Sequence, residues 1–576
     1  MKQIRNFLLA ALLMSGTGLW AQAIGDYGSN ATNNAWNTAT NWVVCTTIGT
    51  WDGATTATTA PLATTNIWIR AGHAVTLPGS GNCLCNNLYV EGTLVSANAV
   101  TSPRYVRIYG NSMVVNGTFG SATDGLGLQL YGGSTQALTV SGSATVNFSR
   151  IQPQTAAAIT FDANAQFNYG GSSGTGSTGL YANNFDYTVT INQGKTVTLA
   201  DNSYFAVHGS SGSSAGASSL TFNINGTLYG SGANSCINFN TAIGKTAVVN
   251  IGATGELKSM APIRIHYLNQ GTTTVNIADG GKITSLAGGS LLIPKATITN
   301  NGIISVTGSN ADSIGATTVS STGSICINKT SSNLAFAGNS TSNGALTFTS
   351  GTVSLGNNNL TIGSTGSISG TSGSSYIITN GTGKLIQSVT AATPKLFPIG
   401  ASSTSYDPVV LTPTDATDVS VNIGTTLPAT APANYTYNSK VWNIIPVTPS
   451  STVVTLTPSS AISTAISDIV AQYVTDSYVN SVATKSNNAY TATFTTFSPF
   501  VTGTTDLGTA LAQTTITGVT FDGQTIHNAS NIDLQVFDSA GRKVISSSKD
   551  INMASNTRGV YLVKSKSGII KIVLAK

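Results

Sequence analysis

Gly-x-Ser-x-Gly occurs twice, at Gly170 to Gly174 around Ser172 and at Gly212 to Gly216 around Ser214. A serine nucleophile needs that spacing on a sharp strand-to-helix turn with a base beside it. Both strings lie in Gly/Ser runs with no helical pattern after them, so neither predicts a hydrolase. The string NGTGKL around Lys384 lacks the first Gly of a phosphate loop and the Ser or Thr after the Lys. Cys83-Leu84-Cys85 is one residue short of a zinc pair, and no second ligand pair follows at finger spacing. No catalytic residue, cofactor or metal is expected from these motifs. Sugar chemistry needs two carboxylates on one ring, or a basic residue beside acidic calcium ligands. The acids Glu91, Asp124, Asp162, Asp186, Asp201, Glu256 and Asp279 are instead scattered singly. Stacked repeats could still gather them, so a polysaccharide-processing lyase or glycoside hydrolase stands as the alternative to a non-enzymatic reading.

Binding chemistry is better represented. In IWIR, inward Ile67 and Ile69 turn Trp68 and Arg70 outward; in YVRIYG, inward Val106 and Ile108 do the same for Tyr105, Arg107 and Tyr109. IRIHY likewise exposes Arg264 and His266. Aromatic rings beside guanidinium donors suit stacking on sugars and pairing with acidic glycans. His73, His208 and His527 lie far apart and read as lone surface or turn residues. Of five cysteines, Cys45 is expected to pair with Cys83 or Cys85.

The elements that carry these residues repeat. Between Leu84 and Val389 short apolar/polar alternations flank a glycine, as in NLYVEGTLV, LTFNINGTLYG, VVNIGATGEL and ATITNNGII. The glycines fall at Gly92, Gly117, Gly142, Gly226, Gly255, Gly281, Gly302 and Gly323. A period of this size signals a solenoid, and period-two alternation makes its units strands. The predicted fold is all-β: a right-handed parallel β-helix over 84–394, capped by a Trp-rich first segment at 24–83. Its glycines are expected at corners that need positive φ. Several separate β-sandwiches are the competing architecture.

Composition supports strands over helices: 8% of residues are charged, and Glu91 and Glu256 are the only two Glu among 576 residues. Lys2 and Arg5 precede an apolar run and an Ala21-Gln22-Ala23 site, the pattern of a secretory signal peptide over 1–23. No later run reaches membrane-spanning length, so no transmembrane segment is expected after cleavage. From Thr515 onward eight Lys and Arg face four Asp, a net +4, and Lys2 and Arg5 add +2. Of the total +5, the body between them therefore carries −1. A near-neutral body excludes nucleic acid as the main partner.

Beyond the repeats, 395–503 reads as an antiparallel β-sandwich, 504–514 as a linker and 515–576 as a small terminal β-sandwich. FPIG, SYDPVVL, VWNI and FTTFSPF resemble a module found before the C-terminal signal of secreted Bacteroidota proteins. The terminal segment is similar to the C-terminal sorting domain of the type IX secretion system. The likeness rests on Val536, Phe537, Asp538, Gly541, Arg542 and Val544, then Gly559, Val560, Tyr561, Leu562, Val563 and Lys564, then Lys571 to Lys576. SNTRG stands where Pro-Gly or Lys-Gly is usual, with Gly559 left to supply the turn. The resemblance implies export by the type IX machinery, then release or outer-membrane surface attachment. The expected function is that of a non-enzymatic surface protein, an adhesin, matrix component or binder of glycans or other surface proteins.

Overall fold

The computed structural model describes residues 21–576 apart from 31–33, 79–81, 97–103, 123–124, 169–178, 182–184, 202, 207–218, 233–235, 240–244, 266–270, 433, 461, 463–466, 498, 506–514, 558 and 575–576. Most of the expected signal segment 1–23 and of the expected linker 504–514, and Asp124, Ser172, His208, Ser214 and His266, thus lie outside the described residues. The chain divides into two compact units, Met1–Gly424 with Asn443–Ser450, and Thr425–Trp442 with Ser451–Lys576. Among the described residues helix is confined to one 3-10 turn, Ala39–Asn41. No helix among them is long and apolar enough to cross a membrane.

The first unit is a parallel β-solenoid of about 12 turns. A turn of its body carries three strands, as in Thr246–Ile251, Glu256–Ser259 and Pro262–Ile265. Each pairs in parallel with its equivalents one turn before and after. The registers hold phase, so Ile191, Ile224, Ile251 and Ile277 form one column from which water is excluded. Burying each such side chain contributes about 1.5–3 kcal/mol. A lone strand pair has nowhere to hide that face, and stacking provides it.

The corner glycines have a different cause from the expected one. Of the eight, only Gly142 has positive φ, at +120°. The others sit where one turn passes too close over the next for any side chain. A Cβ on Gly117 would lie 2.1 Å from the carbonyl oxygen of Gly92, and one on Gly302 would lie 2.2 Å from that of Gly281. Close approach of two backbones, not left-handed geometry, demands glycine there.

Both ends of the solenoid are covered, as an open parallel edge requires. Tyr27–Ser29 runs parallel to Ile67–Ile69 and antiparallel to Trp42–Val44, which in turn pairs with Thr55–Thr56. Trp36 and Trp42 are fully buried edge to face, 5.3 Å apart, and the Trp42 indole donates to the Trp36 carbonyl at 2.8 Å. At the far end Leu385–Val389 pairs antiparallel with Thr417–Gly424, and Ile399–Ser402 folds back on Ser405–Tyr406.

The expected disulfide is absent: Cys45, Cys83 and Cys85 are free thiols. Cys45 donates to the Thr47 carbonyl at 3.1 Å inside the cap. Cys83 and Cys85 point into the core from one strand, where burial pushes Cys83 up to about 12 and raises Cys85 as well.

The second unit is antiparallel. Pro499–Thr505 lies between Tyr435–Tyr437 and Ser467–Val474, whose other edge takes Ser477–Val482. Ala489–Phe494 pairs with Thr452–Leu456 and with Thr484–Ser486. Toward the C-terminus two small sheets share one core. One orders Val519–Phe521, Thr525–Asn528, Ile551–Asn552; the other orders Lys543–Ser547, Leu534–Phe537, Gly559–Lys564, Ile569–Leu574. Leu534, Val536, Tyr561 and Val563 fill the space between them.

Candidate binding face of the solenoid

The aromatic and guanidinium residues singled out by alternation do not form one site. Trp68 is buried, contrary to expectation. It points away from the solenoid core, but the N-terminal cap lies over it. Its indole donates to Asp26 Oδ2 at 3.0 Å and its ring stacks on Tyr89 at 4.1 Å. Arg70 also serves the cap. Its guanidinium lies 5.4 Å from the Trp51 ring centre, and its backbone N–H donates to Ser29 Oγ at 2.9 Å. His73 is not a lone residue, since its Nδ1 is 2.9 Å from the same hydroxyl.

Tyr105, Arg107 and Tyr109 are half-buried. Arg107 donates to Gln129 at 2.9 Å and lies 4.9 Å from the Tyr131 ring centre, and Tyr131 stacks on Tyr109 at 5.6 Å. Gln129 in turn donates to Gln152 at 3.1 Å, so this guanidinium is tied into a polar row running along the axis. Arg264 is half-buried several turns further on, and its neighbour His266 lies outside the described residues.

A longer feature runs along another strand column. The in-phase register aligns Thr139, Thr160, Thr190, Asn223, Asn250, Asn276, Thr299, Thr318, Thr341 and Thr361 in one unbroken outward row. Two residues earlier on the same face stand Thr188, Thr221, Val248, Thr274 and Thr297, all short. At one strand spacing per turn the ten positions cover roughly 43 Å. At its centre the amides form a ladder: Asn276 donates to Asn250 at 2.9 Å, Asn250 to Asn223 at 2.9 Å, and Asn223 to Thr190 at 3.4 Å.

A primary amide has two donors and two acceptor sites. Each ladder amide spends one donor along the row and keeps the other, and an acceptor site with it, for the surface. The ladder floors an open groove of about 460 Å³ lined further by Asn225, Gly252, Ala278, Thr299 and Asn301. None of these lining residues is titratable. Their repeat of one donor and one acceptor per turn matches hydroxyl groups, which both donate and accept.

The acids stay dispersed. Glu256 pairs with Lys258 at 2.8 Å, Asp186 lies 3.6 Å from Lys245, and Asp162 accepts from Asn192 at 2.9 Å. Among the described residues no three His, Cys, Asp or Glu are grouped so as to hold a metal ion.

In the terminal sandwich Gly541 has φ +76° at a turn held by Asp538. Asp538 Oδ1 accepts from the Arg542 backbone at 2.9 Å and Oδ2 from its guanidinium at 2.9 Å, which lowers the Asp538 carboxyl. Gly559 opens a strand rather than making a turn. Tyr561 and Val563 face the core, while Val560 and Lys564 face solvent with Leu562 half-buried between them. Lys571 and Val573 flank them on the edge strand, cross-strand from Leu562 and Val560. His527 is not a lone surface residue either: it bridges Asp522 at 2.9 Å and Asp550 at 3.0 Å. No family model, curated protein or solved structure matches the chain.

Proposed function

We propose that this is an exported, non-enzymatic surface protein of the adhesin or matrix type whose solenoid binds neutral polysaccharide along the Thr/Asn row. The observation that carries this reading is the amide ladder Asn223, Asn250, Asn276, which floors an uncharged groove and presents one donor and one acceptor per turn. Glycoside hydrolysis there lacks the two carboxylates it needs, because the lining offers none. The tail supplies the address. Its outer sheet face sets exposed Val560 and Val573 beside Lys564 and Lys571, a basic and apolar surface suited to capture by the type IX machinery, as its sequence resemblance implies.

The binding reading is tested by titrating neutral and acidic polysaccharides onto the mature chain and onto an Asn250→Leu/Asn276→Leu variant. Neutral polymer bound by the parent and lost in the variant supports it. Equal binding by both proteins, or preference for acidic polymer, overturns it. The address is tested by deleting residues 515–576, which should abolish surface or medium localisation while the solenoid stays folded in the periplasm.

A further inference from the structure

In a chain with so few charges, one ion pair among the described residues lies wholly inside the solenoid: Lys329 and Asp312, both side chains with no exposed surface. Asp312 opens the strand Asp312–Ile314, and Lys329 ends the strand Ser324–Lys329 one turn later. The carboxylate is held asymmetrically. Its Oδ1 accepts from the Leu291 backbone N–H at 2.6 Å and from the Ser285 hydroxyl at 3.4 Å, both on the preceding turn. Its Oδ2 receives the Lys329 ammonium. That ammonium also donates to the carbonyls of Thr307, at 3.3 Å, and Asn310.

We propose that Lys329 and Asp312 join in an amide bond between Nζ and Cγ, formed by the fold itself with loss of one water. Burial disfavours separated charges and raises the Asp312 carboxyl; the reaction starts when one ammonium proton passes along the existing hydrogen bond to Oδ2, leaving an amine facing an acid. The two remaining N–H groups stay on the carbonyls of Thr307 and Asn310, which leaves the nitrogen lone pair for Cγ. As nitrogen attacks, charge gathers on Oδ1, where the Leu291 N–H and the Ser285 hydroxyl already point. In the tetrahedral adduct one of these two N–H protons passes from the now cationic nitrogen to Oδ2, which departs as water carrying two of the three original ammonium protons, and the third remains on the amide. No oxidant, cofactor or outside base enters the balance. The bond fastens two successive turns covalently.

The sequence makes the test simple. After Lys295 the next sites for trypsin are Lys329 and then Lys384, and an acylated Lys329 is not cut. Digestion of the denatured full-length protein should therefore yield one peptide spanning 296–384, lighter than its composition by one water. Fragmentation should place the loss on the Asp312 to Lys329 link. Cleavage after Lys329, giving peptide 296–329 at full mass, overturns the proposal. So does a lost water that maps elsewhere. Since the readout is on the unaltered protein, no variant has to fold, and polysaccharide binding does not enter the result.

Discussion

Replacing Gly344 by Asn separates two explanations of the corner glycines. If left-handed backbone were the reason, Asn would be tolerated, because it adopts that conformation more cheaply than other side-chain-bearing residues. Gly344 does not have positive φ. Its added Cβ would lie 2.0 Å from the Gly323 carbonyl oxygen and 2.4 Å from that of Ser320. An ordinary carbon to oxygen contact is roughly 3.3 Å or more, so the corner must lift by over an ångström. The flanking backbone bonds from Asn343 to Val319 at 2.8 Å and from Ala345 to Gly323 at 3.1 Å then stretch. Overpacking together with those weakened bonds should cost about 2–5 kcal/mol. Gly194 is the contrast: φ is +74° and nothing lies within 4 Å of its would-be Cβ, so Gly194→Asn should cost under about 1 kcal/mol. Gly373, with open space and ordinary φ, should gain about 0.4–1 kcal/mol as Ala through the unfolded chain. Urea unfolding of the protein followed by circular dichroism measures all three. Equal, small effects at Gly344 and Gly194 would refute the close-approach account.

Four further outcomes are expected. Asp26→Asn weakens the acceptor shared by the Trp68 indole, Asn66 and the Ala23 N–H; it should cost about 1–3 kcal/mol of cap stability and be visible as altered Trp fluorescence. Leu534→Ala empties a fully buried site of the terminal sandwich; a loss of about 2–5 kcal/mol should leave so small a core open to limited proteolysis. His527 should titrate above 6.5 by NMR, because Asp522 and Asp550 both hold its charged form, and Asp522 is itself lowered to about 2 by backbone N–H groups of Thr525 and Gln524 and by His527. The raised histidine stabilises fully below 6.5 and loses that as pH rises through its folded value, while the lowered carboxyl stabilises above 3.8 and loses that toward 2. The tail should thus resist unfolding best between these two limits. Finally, Cys83 and Cys85 should resist alkylation at pH 8 in the native protein and react fully once denatured, with no mass change on reduction.

What could be read from the sequence divides along a physical line. Alternation correctly set the inward face of each strand, as at Ile67 and Ile69 or Val106 and Ile108, because a strand's side-chain period is fixed by covalent geometry. Alternation does not say what covers the outward face, and Trp68 departs from it for that reason: Asp26, which takes its indole N–H, lies 42 residues earlier in the chain. The clue was the cap's own tryptophans, which need a partner surface. The asparagine ladder left a trace in the repeated phrases TFNI, VVNI and TVNI, but only the register proves that the three amides touch. Asp312 and Lys329 left none, since two ordinary polar positions near corners do not announce that both point inward.

The length of the solenoid and its lack of charge belong to one physical design. A charged groove draws a ligand from a distance and holds it with few contacts. An uncharged row has only short-range hydrogen bonds, each worth about 0.5–1.5 kcal/mol net against water. A single turn therefore binds a sugar negligibly once the loss of the ligand's freedom is counted. A polymer bound at one turn, however, meets the next at high effective concentration, so weak contacts multiply along the axis. On the proposed reading, ten aligned Thr and Asn positions would provide such a track only if every turn keeps the same pitch and phase. Glycine corners that let the turns close, and caps that keep the end turns from pairing elsewhere, are what hold that phase.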